Sequence, residues 1–133
     1  MEGNADKTQK AAPHMPPSSH IIFLSTTINH ASTVTPPYLV YCTSKGAIEQ
    51  MVHVMSKDLG VKGISVNAVA PGPTATDLFL KGKSEQMIKT IAGFNPHNRL
   101  GKPEEIADVL LWLSGSGSDW VTGQVIKVNG GMA

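Results

Sequence analysis

Residues 41–73, YCTSKGAIEQMVHVMSKDLGVKGISVNAVAPGP, change their apolar rhythm once, and that change decides the fold. In the first part Ile48, Met51, Val52, Met55 and Leu59 recur at helical spacing and form one apolar stripe, which predicts a helix over Tyr41 to Leu59. Gly60 and Gly63 bracket its exit. Ile64 to Val69 is then β-branched and is stopped by Ala70-Pro71-Gly72-Pro73, the pattern of a strand with an abrupt end. Upstream, Ile21-Ile22-Phe23-Leu24 is a short continuous apolar run of the kind found in buried parallel strands. Downstream, the sequence predicts a short helix from Ser84 to Ala92 and another from Pro103 to about Ser114. In the latter, Pro103 occupies the first turn and Ile106, Val109, Leu110 and Leu113 form the core stripe. A last strand is expected over Gln124 to Val128. Strands alternating with helices imply an α/β fold whose strands run parallel and are joined by right-handed crossovers.

The chain has 133 residues, enough for one domain with one core. Apolar residues make up 41% and charged residues 16%, which argues against general disorder. A net charge of +1 leaves no electrostatic footprint for nucleic acid or an anionic membrane. The lone Cys42 excludes an intramolecular disulfide framework, and no apolar run approaches a membrane span, so a cytoplasmic protein is the expectation. Residues 1–20 are polar, hold three prolines and show no period; they read as a flexible leader with solvated His14 and His20. His30, His53 and His97 lie at unrelated spacings, and no metal site is expected.

Tyr41 and Lys45 stand four residues apart, so a phenol and an ammonium share one helix face. A tyrosine hydroxyl ordinarily titrates near 10, and a cation beside it favours the phenolate. Such a phenol can protonate a carbonyl oxygen as hydride reaches its carbon, or accept the alcohol proton in the reverse direction. The same spacing also suits a partly buried tyrosine at a helix start with a solvated lysine. Ser25-Thr26-Thr27 closes the first strand, Asn67 to Asp77 reads NAVAPGPTATD, and the chain ends GQVIKVNGGMA from Gly123.

In that order these motifs resemble the short-chain dehydrogenase/reductase family from about Ile21 onward. The resemblance implies an oxidoreductase that transfers hydride between NADP or NAD and an alcohol/carbonyl pair on a small-molecule substrate. It makes Tyr41 the acid/base, and Lys45 the residue that lowers the phenol's pKa and clamps the nicotinamide ribose. Thr26, or its neighbour Ser25 or Thr27, becomes the hydroxyl that orients the substrate; alternatively these hydroxyls only bond local backbone. Thr26 lies fifteen residues before Tyr41, about two more than the family's usual interval. Tyr41, Lys45, Pro71, Gly72, Thr74 and Thr76 are the implied cofactor contacts, with Pro71 ending the strand and Gly72 letting the backbone approach a ligand. Leu78, Phe79, Met87 and Phe94 either line a substrate pocket or pack in the core.

The family's Thr-Gly-x-x-x-Gly-x-Gly turn, which offers N–H groups to the pyrophosphate, does not occur in these 133 residues. The expected architecture is therefore a partial Rossmann-like, doubly wound parallel sheet of three strands with flanking helices, its N-terminal half missing. Residues 1–20 would be the leader and 21–133 the C-terminal half of the domain, in a truncated product or partial sequence. An inactive fragment that serves as an interaction module is the rival reading. Its homo-oligomer contact would be the Tyr41–Leu59 helix, through Glu49, Gln50, His53 and Lys57 on the outward face.

Overall fold

The computed structural model describes residues 2–133. Its elements, in chain order, are α1 (Glu2–Ala11), β1 (His20–Leu24), α2 (Leu39–Gly60), β2 (Ser65–Pro71), α3 (Asp77–Leu80), α4 (Glu85–Ala92), α5 (Pro103–Leu113) and β3 (Val125–Val128), with short 3-10 turns between some of them. The three strands form one parallel sheet in the order β1-β2-β3. The architecture is α/β with flanking helices, as the alternation of periods predicts.

β2 occupies the centre because its residues tolerate burial on both faces. Val66, Ala68, Val69 and Ala70 are all fully buried. Helix α2 lays Ile48, Val52 and Leu59 on one face of the sheet, where they meet Phe23, Val66 and Ala68. Removing Val52 alone from water is worth roughly 2 kcal/mol. On the other face α5 contacts all three strands, and Leu113 is fully buried. α2 ends on a left-handed glycine: Gly63 has φ +72°, its N–H bonds to Gly60 O, and Ile64 N–H bonds to Leu59 O. That double closure satisfies the last carbonyls of α2 and turns the chain directly into β2.

Several expectations change. β2 extends beyond Val69 through Ala70 to Pro71, which pairs with Val128 and is the last residue of the strand, as expected. The N–H groups of Ala68 and Gly72 both point to β3, so the alternate position 71 faces the β1 side, beyond the end of β1 at Leu24. No donor is required there, and proline is accommodated. The segment read as a patternless leader carries α1, supported by an Asp6–Lys10 ion pair one turn apart at 3.0 Å and by Thr8 Oγ1 donating to Asn4 O. Ala12 joins the core, and Ser18 N–H bonds to Gly63 O at 2.8 Å, which ties this segment to the α2–β2 turn. His20 is not a solvated tail residue: it opens β1, with its side chain only 9% exposed and Nε2 3.6 Å from Asp119. β1 pairs with β2 alone, so its other edge is unpaired among the described residues. No helix among those residues is long and apolar enough to cross a membrane.

Candidate active site

The first turns of α2 face the C-terminal ends of β1 and β2, and the candidate site lies there. A cleft of about 440 Å³ is lined by Leu24 to Ile28, Tyr41, the Pro71–Thr74 loop, Thr76 and Phe79, with α5 closing one side. Tyr41 is 44% exposed, so its ring stands in the cleft instead of in the core. Lys45, one turn on, donates from Nζ to Leu24 O at 2.8 Å and lies 5.9 Å from the Tyr41 ring centroid. An ammonium has three N–H donors, so two remain for a ligand. The lysine is anchored to the end of β1 and is not merely solvated.

The hydroxyl trio separates by partner. Thr27 is buried and donates to Ala70 O at 3.0 Å, which ties the chain after β1 to β2. Ser25 donates to the Glu49 carboxylate. Thr26 Oγ1 accepts from Ile28 N–H at 3.4 Å, and its proton has no acceptor among the described residues. Thr26 is thus the member of the trio whose hydroxyl retains a donor for something in the cleft.

Glu49 corrects one expectation and adds a residue that the sequence reading missed. It does not lie on the outward face of α2. Its Oε1 accepts from Ser25 Oγ and lies 3.1 Å from His30 Nε2. Tyr41, Lys45 and Glu49 succeed one another at intervals of four, so the face that presents the phenol also presents the carboxylate. That spacing was the available signal. Lys45 on Leu24 and Glu49 on Ser25 thereby fasten two consecutive residues at the end of β1 to two consecutive turns of α2. Gln50, His53 and Lys57 are exposed as expected.

The loop after β2 is built by its own hydroxyls. Thr74 Oγ1 donates to Gly72 O at 2.8 Å, and Thr76 caps the N-terminus of α3 by accepting from Phe79 N–H at 3.2 Å. Gly72 is required by its neighbour in the fold: a Cβ there would lie 2.9 Å from both Cα and Cβ of Asn129. Behind this loop, Arg99 grips Glu105 with two bonds of 2.8 and 2.6 Å. Those bonds, with the Lys102 N–H, hold the Glu105 carboxyl down at about 2. Of the expected pocket residues, Phe79 and Phe94 line a second chamber that shares Tyr41 with the cleft, whereas Leu78 and Met87 are exposed.

Residues 1–133 match the family model described as enoyl-(acyl carrier protein) reductase, a match that includes the first twenty residues. The short chain dehydrogenase mdpC of Emericella nidulans is 40% identical over 136 residues, covering 94% of this chain and 51% of that protein. An Arabidopsis thaliana protein named NADPH-dependent aldehyde reductase-like, chloroplastic, is 39% identical over 105 residues, covering 79% of this chain and 39% of that protein. The crystal structure of angucycline C-6 ketoreductase LanV with bound NADP superposes with a TM-score of 0.83 at 32% identity, over 93% of this chain and 47% of that one. The chain thus spans about half the length, or less, of the relatives it matches. On the strength of the family match over its whole length and of these identities, the chain belongs to the short-chain dehydrogenase/reductase family.

Proposed function

We propose that residues 21–133 form the C-terminal half of a Rossmann-like domain and carry the proton-transfer and substrate-orienting parts of an NAD(P)-dependent oxidoreductase that interconverts an alcohol and a ketone or aldehyde. The observation that carries this reading is the convergence of Tyr41 and Thr26 on one cleft, with the Lys45 ammonium 5.9 Å from the Tyr41 ring and locked to the strand end that precedes the threonine. In this reading Tyr41 Oη gives its proton to the carbonyl oxygen during reduction and takes it back during oxidation. The Lys45 ammonium beside the ring stabilises negative charge as it develops on that oxygen. The Thr26 proton is offered to the same substrate oxygen and fixes its position between two hydroxyls. Glu49 acts on this geometry through Ser25 and is a positioning residue.

The donor set fits the nicotinamide and ribose end of a dinucleotide. The two remaining Lys45 donors suit ribose hydroxyls, and the Gly72–Thr76 loop forms one wall of the cleft. When bound, a nicotinamide supplies or receives the hydride. NADPH is favoured over NADH by the names of the relatives, two of which specify NADPH or NADP. A cytoplasmic location stays part of the proposal, although one plant relative is named as chloroplastic.

The test is a fluorescence titration of the chain with NADPH and with NADH, followed by turnover of a ketone panel. Saturable binding of either nucleotide at micromolar to millimolar concentration is expected, and Tyr41→Phe should abolish turnover with binding and fold intact. Retained turnover in that variant would refute the acid/base assignment.

One observation favours the rival interaction role. Val40 and Val54, 80% and 57% exposed, fall two heptads apart on α2, and Val61, 89% exposed, follows one heptad later as the residue that caps its C-terminus. A second copy of the chain, presenting the same stripe, is the occupant this face suits. Sedimentation equilibrium of the wild type against Val54→Glu decides it: a dimer dissociated by the charge supports the role, and a wild-type monomer refutes it.

A further inference from the structure

β3 leaves the sheet through Asn129-Gly130-Gly131, where the two glycines take left-handed backbone, with φ +63° and +82°. The bend is packed against the rest of the chain. A Cβ on Gly130 would lie 3.1 Å from Asn95 Oδ1 and 3.3 Å from His97 Cδ2, and Asn95 itself is buried. Asn129 folds its side-chain amide over the residues that follow it. Its Oδ1 accepts from Gly131 N–H at 3.0 Å, and its Nδ2 donates to Ala133 O at 3.2 Å. The first of these bonds closes a ring of atoms that contains both Asn129 Cγ and Gly130 N. Gly130 N–H has no acceptor among the described residues. A cavity of about 220 Å³ opens beside the bend, with Asn129, Gly130, Asn95 and His97 in its lining. The His97 ring nitrogens have no partner among the described residues.

From this arrangement we infer that the bend is a self-modification site, at which the chain converts Asn129 to aspartate and isoaspartate. The inference does not rest on the role of Tyr41. Gly130 N gives its proton to the His97 imidazole and attacks Asn129 Cγ. An N–Cγ bond forms, the Cγ–Nδ2 bond breaks, and Nδ2 takes the proton and leaves as ammonia, so a succinimide remains. Water then opens the ring at one of its two carbonyls. Attack at Cγ breaks the new bond and leaves aspartate; attack at the main-chain carbonyl breaks the original peptide bond and routes the backbone through Cβ and Cγ. No electron is transferred, and water is the only co-reactant. Glycine places no Cβ beside the attacking nitrogen. Gly131 N–H already donates to the oxygen on which negative charge develops. Asn4, Asn29, Asn67, Asn95 and Asn98 are each followed by a residue with a side chain, so Asn129 stands alone. The products act on the cleft. Aspartate loses the Nδ2 donor and turns a negative oxygen toward Ala133 O, which loosens the adjoining Met132, a residue in the walls of both cavities around Tyr41. Isoaspartate lengthens the backbone at the residue against which Gly72 is packed without room for a Cβ, and so disturbs the bond from Gly72 N–H to Val128 O.

The test incubates the full folded chain and a synthetic Lys127–Ala133 peptide in one mildly alkaline buffer and follows amide-to-acid conversion by mass spectrometry of digests. Conversion is expected at Asn129 alone, about threefold to tenfold faster in the folded chain than in the peptide, because base and oxyanion donor are held in place. A folded rate at or below the peptide's overturns the inference. His97 is exposed, so His97→Ala should keep its circular dichroism while the folded rate falls at least about threefold; a smaller fall overturns the part assigned to the imidazole. In the isoaspartate form, purified from the incubated chain, hydrogen exchange at the Gly72 amide should accelerate at least about threefold. A smaller acceleration overturns the link from this bend to the cleft.

Discussion

Replacing Asn67 by alanine is expected to destabilise the fold more than any loss of apolar contact at that position would. Asn67 sits on the central strand, 1% exposed. Its Nδ2 donates to Val121 O at 2.7 Å, and its Oδ1 accepts from Gln124 N–H at 3.1 Å. One amide thus serves both the carbonyl before the Thr122–Gly123 turn and the amide after it, and so fixes where β3 begins. Truncation to alanine leaves both backbone groups without partners in a place closed to water. Each unsatisfied group costs about 1–3 kcal/mol, so the sum is about 2–5 kcal/mol once relaxation or an entering water softens the larger values. With a urea dependence of about 1–3 kcal/mol per molar, the unfolding midpoint should fall by roughly 1–3 M at an unchanged slope. Hydrogen exchange at the Gln124 amide should accelerate in the variant while the amides of α2 keep their relative order of protection. Asn67→Asp keeps the acceptor for Gln124 but turns an anionic oxygen toward the Val121 carbonyl, so its stability should recover on acidification. A loss below about 0.5 kcal/mol in Asn67→Ala, or unchanged protection at Gln124, would refute the claim that this side chain registers β3 on β2.

Two further outcomes follow from the loop behind the cleft. Gly72→Ala forces a methyl against the backbone of Asn129, which cannot rotate away as a side chain could, so a loss of about 1–3 kcal/mol is expected by thermal or urea unfolding; a neutral variant would show that the β3 exit moves freely. The Glu105 carboxyl is held at about 2 against an ordinary 4.5, so it binds its proton less readily in the folded chain than in the unfolded one. Its contribution is present above pH 4.5 and is lost as the pH falls toward 2, and because the pair is exposed it should shrink in high salt. The stability difference between wild type and Glu105→Gln should narrow over that pH interval in low salt. A constant difference would mean that the Arg99 grip does not persist in solution.

The fold was legible where one period governs an element. The stripe Ile48, Val52 and Leu59 announces the buried face of α2, and the β-branched stretch ending at Ala70-Pro71-Gly72 announces a central strand. The Tyr41–Lys45 spacing likewise announces a shared face. What stayed hidden depends on which distant, irregular segment returns to that face. Glu49 is on the same face by spacing, but its partners Ser25 and His30 lie on a non-periodic stretch 24 and 19 residues upstream. The reason for Gly72 is Asn129, on the far side of α3, α4 and α5. α1 is mostly polar and has no apolar stripe, and the segment that follows it is fixed through Ala12 in the core and Ser18 on Gly63. Nothing local distinguishes a solvated tail imidazole from that of His20, which meets Asp119 ninety-nine residues later. These cases share one cause. Periodicity specifies the direction in which a side chain points, whereas a site requires two directions to meet, and the meeting is set by loop lengths and crossovers whose residues carry no period. The lysine shows the consequence: its spacing from Tyr41 could be read at once, but the contact that immobilises it, Leu24 O, follows only after β1 has been docked beside β2.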